Sequence, residues 1–250
     1  MLKSKGSSLV ISSSTSIPEK ISEKAETWQK LLHQSFLRNY ANEDETAYIQ
    51  MSNIKRSGDV SMHSIVFQDF LKDDSRYLLF QLAVNDSHLM CDLKSTAKAE
   101  LCWAMPKSKE HFYFSGRFYI ASAPVQVTRY PPPRIISDLQ EHSEDYWERE
   151  RLRQWQRLNS RLRSRFTWPS SGDAPRNDKA FACLHLDALS NDYPNDAKKI
   201  IHSIALDNFA LLIYKATSVT HFNYEVFPPR RTVYIYNQTV HTWDAIESNP

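Results

Sequence analysis

Cys183, His185 and Asp187 alternate along one short stretch, so on a strand all three would point to one side, and each residue type can ligate a transition metal. Three mixed ligands without a companion pair make a weak metal motif, and a partly buried strand is the simpler reading. The nine histidines form no H-E-x-x-H or H-x-H arrangement, so no metal is expected. A second group is Arg149, Arg153, Arg157 and Arg161, which on a helix form a ladder able to grip phosphates. Asp145, Glu148 and Glu150 lie within pairing distance in the same segment, which makes a solvated charged face the simpler reading. With 31 basic and 29 acidic side chains, the net charge of +2 gives no general attraction for a polyanion. A nucleic-acid partner is therefore not expected.

Scarce glycine removes several other chemistries. The chain has four in 250 residues, Gly6, Gly58, Gly116 and Gly172, where about 7% is ordinary. Dinucleotide fingerprints, phosphate loops and nucleophile elbows need clustered glycines, because the backbone must turn sharply or approach a ligand closely. None is present. Cys91, Cys102 and Cys183 form no C-x-x-C pair, which fits a reducing compartment. No uncharged apolar run reaches the roughly 18 to 20 residues of a membrane helix, and no apolar leader opens the chain. A cytoplasmic protein is expected, with mitochondrial import as the lesser alternative.

The elements that must position the chemistry follow from periodicity. Residues 1–17 are serine-rich, basic and poor in large apolar groups, which predicts a disordered tail ahead of a single domain spanning 18–250. From Pro18, Ile21, Ala25, Trp28, Leu31, Leu32, Phe36 and Tyr40 recur at spacings of three and four, which predicts an amphipathic helix ending before Glu43. Alternating runs then predict strands at 47–54, 61–70, 76–84, 97–105 and 111–121, with a short helix from Asn85 or Asp86 to about Leu93. Such short connections favour an antiparallel meander closing into a barrel. A long helix is predicted from Ser143 to Phe166, with Trp147, Trp155 and Phe166 facing inward and Trp168-Pro169-Ser170-Ser171-Gly172 stopping it. A helix at 196–206 and strands at 209–214, 219–227, 231–236 and 240–246 complete the chain. The fold class is mainly β with peripheral helices (α+β).

Several segments carry a resemblance in their order and spacing. They are Val60 to Phe70, Asn85-Asp86-Ser87-His88, Ala99 to Trp103, Lys109 to Gly116, Trp155 to Leu158 leading to Arg165-Phe166-Thr167-Trp168-Pro169, and Arg230 to Tyr234 with Trp243 to Pro250. Together they resemble the pyridoxamine 5'-phosphate oxidase-like flavoproteins, in a branch typified by a cyanobacterial domain rather than the vitamin B6 enzyme proper. The resemblance implies an antiparallel split β-barrel that binds FMN in a cleft between two subunits of a homodimer.

It also implies site positions, several of which depart from the family's pattern. His63 and Gln68 stand where the family carries basic residues near the FMN phosphate, with Ser64 between them. Ser87 keeps a hydroxyl, while His88 replaces permanent positive charge. His111 replaces a glutamine near the flavin, and Arg231 matches a C-terminal arginine beside the cofactor. A charge-assisted phosphate contact is worth roughly 1.5 to 3 kcal/mol, so FMN binding is expected to be weak or lost. Protonation of His63 and His88 would strengthen it in mild acid. The Arg-x-His substrate pair of the B6 enzyme is not matched, since Pro228-Pro229-Arg230-Arg231 stands there. Two readings stay open. One is an FMN-dependent oxidoreductase acting on an unknown small molecule with unknown catalytic residues. The other is a cofactor-free split-barrel binding or interaction module with a degenerate flavin site.

Overall fold

The computed structural model describes residues 27–41, 45–72, 74, 76–126, 131–133, 135, 143–174, 183–187 and 196–250. The expected tail at 1–17 and the start of the first helix at Pro18 lie outside the described residues. Eight strands form one antiparallel sheet in the order β3-β2-β1-β4-β5-β6-β7-β8, and an additional β3–β6 pairing closes the first six into a barrel. Their ranges are β1 Tyr48–Ile54, β2 Val60–Phe70, β3 Tyr77–Ala83, β4 Lys98–Met105, β5 Glu110–Ala121, β6 Phe209–Asn223, β7 Arg230–Asn237 and β8 Thr242–Ser248. The helices are α1 Trp28–Asn39, α2 Ser87–Ser95, α3 Ser143–Arg157, α4 Ser160–Ser164 and α5 Asp196–Asn208, with a 3-10 turn at Arg165–Thr167. None of the described helices is long and apolar enough to cross a membrane.

Alternation along the strands sorts side chains into two cores. Ile49, Met51, Ile65, Phe67, Leu101, Trp103, Phe112 and Phe114 fill the barrel, and Trp28 and Leu32 of α1 belong to the same cluster. On β3 and β6, Leu78, Phe80, Leu212 and Tyr214 face this interior, while Tyr77, Leu79, Leu211 and Ile213 face outward. The outward set packs against Trp147, Trp155, Leu158, Phe166 and Ala205 from the helical layer. Burial on both faces explains why residues 77–80 and 209–214 read as continuous apolar runs.

Three expectations need correction. The helix predicted from Ser143 to Phe166 breaks at Asn159, whose backbone is extended and whose side chain accepts from Leu162 N at 2.8 Å, starting α4 anew. The two strands predicted at 209–214 and 219–227 are one strand of 15 residues ending at Asn223. Its first half pairs with β3 and its second with β7, so Lys215, Thr217 and Ser218 mark a crossing between sheet neighbours, not a turn. Residues 183–187 form no strand, so the alternation of Cys183, His185 and Asp187 sets no common face. No group of three such side chains able to hold a metal occurs among the described residues.

Candidate functional site

A cleft of about 550 Å³ opens beside β2 and β3, bounded by the start of α2 and the segment from Arg165 to Ala174. That volume lies within the roughly 300–1,000 Å³ of small-molecule sites. Each boundary has a local cause. Asp86 is extended and its carboxylate accepts from Leu89 N at 3.1 Å, capping α2. Asn85 Nδ2 donates to Trp168 O at 2.9 Å, Trp168 Nε1 donates to Cys183 O at 3.1 Å, and Ser87 N donates to Ser170 Oγ at 3.2 Å. Gly172 has φ +85°, and the His88 ring occupies the place a Cβ would take, with Nε2 2.3 Å from it. Glycine is favoured there by the left-handed backbone.

The wall of the cleft is apolar, with Ile65, Val66, Leu82, Leu89, Phe166 and Trp168. Hydrogen-bonding groups come from Ser64, Gln81, Asn85, Ser170 and Ser171. Its charged lining is one cation, Arg165, against two carboxylates, Asp86 and Asp173. Sequence reasoning missed Arg165, Gln81 and Ser170 as lining. The signal for Arg165 lay in the expected helix stop at Trp168-Pro169, because a side chain at such a boundary flanks the loop that shapes the cleft.

The residues singled out from the sequence divide into three groups. Ser64 lines the cleft and accepts from Gln50 Nε2 at 3.1 Å; Ser87 and His88 flank it through Ser170 and Gly172. His63 and Gln68 are engaged elsewhere. Ile65 and Phe67 belong to the barrel core, so His63 points to that interior side and away from Ser64. Its Nε2 lies 2.8 Å from Asp92 Oδ2 and 3.0 Å from Ser61 Oγ, and Ser61 also donates to Asp92. Burial alone would raise the Asp92 carboxyl, but the Ser61 and His63 bonds and nearby Lys55 hold it below the usual carboxylate range. Gln68 accepts from Gln81 Nε2 at 2.9 Å and donates to Gln154 Oε1 at 3.0 Å, tying β2 to α3.

His111 and Arg231 form the third group. Phe222 of β6 stands in register with both, which puts them on one outward row across β5, β6 and β7. The Arg231 guanidinium lies over the Phe222 ring at 5.4 Å, and its buried Nε has no partner among the described residues. Within one chain, then, Ser64, Ser87 and His88 gather at the cleft, while His63, Gln68, His111 and Arg231 do not line it. Two rungs of the arginine ladder are engaged as well: Arg153 bonds Glu150 and Arg157 bonds Asp69.

No family model matches the chain, and no curated protein does. Solved structures do. A pyridoxamine 5'-phosphate oxidase-related, FMN-binding protein from Nostoc punctiforme superposes with a TM-score of 0.67 at 22% identity, covering 90% of this chain and 99% of that one. PhzG from Burkholderia lata, in complex with tetrahydrophenazine-1-carboxylic acid, gives 0.56 at 12% identity over 88% and 91%. At such identities the likeness speaks for the fold. The chain has the antiparallel split-barrel fold of the pyridoxamine 5'-phosphate oxidase-related proteins.

Proposed function

We propose that this chain is a flavin-binding split-barrel protein, of the branch typified by a cyanobacterial domain, that works as a homodimer. The observation that carries the reading is the cleft under Trp168. Its volume suits a fused-ring ligand, and its walls offer apolar surface with amide and hydroxyl groups of Gln81, Asn85 and Ser64 to orient a polar ring edge. Near-full coverage of an FMN-binding relative of the same fold supports it.

The residues present fit the ring of FMN but not its dianionic phosphate. His63 and Gln68 are bonded to Asp92 and Gln154, Ser87 is bonded to Ser170, and Asp86 places a carboxylate at the start of α2.

The dimer rests on a separate feature. Part of the outward face of β1, β2, β4 and β5 exposes Tyr48, Ile54, Val60, Met62 and Tyr113, with Met62 70% accessible. Exposed large apolar side chains gathered on one sheet face mark an interaction surface. His111 and Arg231 share the outward side, where they would meet a second copy.

A second reading is favoured by the carboxylate of Asp86 beside the cleft: a binding module that has abandoned the cofactor. Purification under mild conditions separates the two. Protein that carries flavin absorption, or takes up added flavin saturably, supports the first. Colourless protein that takes up neither FMN nor riboflavin supports the second.

A further inference from the structure

We propose that the outward side of the barrel carries a second binding site, for a small multivalent oxyanion of the phosphate class such as diphosphate, on Lys98 of β4, Arg117 of β5 and Lys215 of β6. Lys98 stands opposite Arg117 and Arg117 opposite Lys215, so the three cations form one register row across neighbouring strands. Alternation puts all three on the outward side, since Ala99, Phe118, Tyr214 and Ala216 beside them belong to the barrel core. None of the three lines the cleft under Trp168.

The site follows from charge that the fold leaves unbalanced. Directly opposed side chains have Cβ atoms about 5 Å apart, and like charges in that relation destabilise a sheet. The row contains two such pairs in succession. Neighbouring carboxylates are committed to other groups: Asp74 accepts from Arg76 Nε at 2.8 Å, and Glu100 accepts from Ser115 Oγ at 2.7 Å. Among the described residues, Lys98, Arg117 and Lys215 form no ion pair. Two of them lie on aromatic faces instead. The Arg117 guanidinium is 5.3 Å from the centre of the Tyr119 ring, and Lys215 Nζ is 5.8 Å from that of buried Tyr77. Burial, and then the charges of Arg76 and Arg117, push the half-buried Lys215 ammonium below its ordinary value, with Asp74 acting against them.

Aromatic faces orient these cations but bring no full countercharge. A multivalent oxyanion brings it, because phosphate oxygens accept in pairs from a guanidinium and singly from an ammonium. Three cations over two strand spacings, about 10 Å, suit two linked phosphoryl groups better than one.

The test is calorimetric titration of inorganic diphosphate into the full-length protein, with thermal unfolding in diphosphate and in chloride at matched ionic strength. Arg117→Gln is measured beside the parent, because it removes the central charge at an exposed position. The parent is expected to bind diphosphate saturably and to gain about 2 °C or more in Tm over the chloride control. Arg117→Gln is expected to weaken that binding about tenfold or more. Equal Tm gains in diphosphate and chloride would reduce the row to a screened surface and overturn the site. Unchanged diphosphate affinity in Arg117→Gln would also overturn it. A parent that does not bind diphosphate, with a variant that loses self-association in sedimentation, would give the row to carboxylates of a second copy and overturn the small-anion assignment. Lys98→Gln, also at an exposed position, carries the same expectations where Arg117→Gln does not fold.

Discussion

At the scale of single residues, the chemistry of this chain is set by what each polar group is already bonded to. Glu110 shows it away from the cleft. Its carboxylate is buried, accepts from His221 Nε2 at 2.9 Å and from Ser35 Oγ at 2.6 Å, and lies 3.7 Å from Arg38. Burial alone would raise this carboxyl, but the bonds from His221, Ser35 and Ser108 hold it below the usual range. A carboxyl depressed in the folded state adds stability above its unfolded pKa and loses it as pH falls through the folded value. Urea titrations from neutral to strongly acidic pH are expected to show stability falling on the acid side, with a shallower fall in Glu110→Gln. Equal acid limbs would show that the pair contributes nothing. The same principle explains what was and was not legible at the site. Strand alternation already places His63 and Ser64 on opposite faces. That Asp92, 29 positions away, receives His63 is visible only once α2 is folded against β2.

Among elements, short strands with alternating patterns were the most readable, because local period and barrel geometry agree. The predicted 61–70 and 111–121 differ from β2 and β5 only by one residue at the start. The long β6 was less readable because its middle residues change partners, although the absence of Gly and Pro between Phe209 and Asn223 signalled continuity. At the crossing point β5 shifts register between Ser115 and Gly116. A Cβ on Gly116 would stand 2.2 Å from Lys215 O and 2.8 Å from the Tyr214 ring, whose hydroxyl donates to Ala99 O and Phe114 O. Backbone cannot yield there without opening the β5–β6 ladder. Gly116→Ala is expected to cost about 3 kcal/mol or more in chemical denaturation, at the upper end of overpacking penalties. Gly58 provides the control, with φ +94° and nothing within 4 Å of its would-be Cβ, so Gly58→Ala is expected to cost only about 1 kcal/mol from backbone strain. Comparable losses at the two positions would contradict the packing argument.

For the whole molecule, part of one sheet face presents exposed apolar side chains, and a second copy is the proposed occupant. Sedimentation velocity of the intact chain is expected to give a dimer, and Met62→Glu, which buries nothing within the monomer, is expected to shift it to monomer by about 2 kcal/mol or more of lost association. A monomeric parent protein would leave that face to another partner. The cleft under Trp168 is the other whole-molecule feature, since strands from the barrel, the start of α2 and a loop of the helical layer all meet there. Its most direct test is riboflavin binding in the parent protein and in Trp168→Ala, read by flavin fluorescence, with thermal unfolding of both as a control. Saturable binding in the parent that weakens about tenfold in the variant, as loss of an aromatic stacking wall demands, is the expected result. Absence of saturable binding, or equal affinity in two folded proteins, would contradict the assignment of this cleft to a flavin.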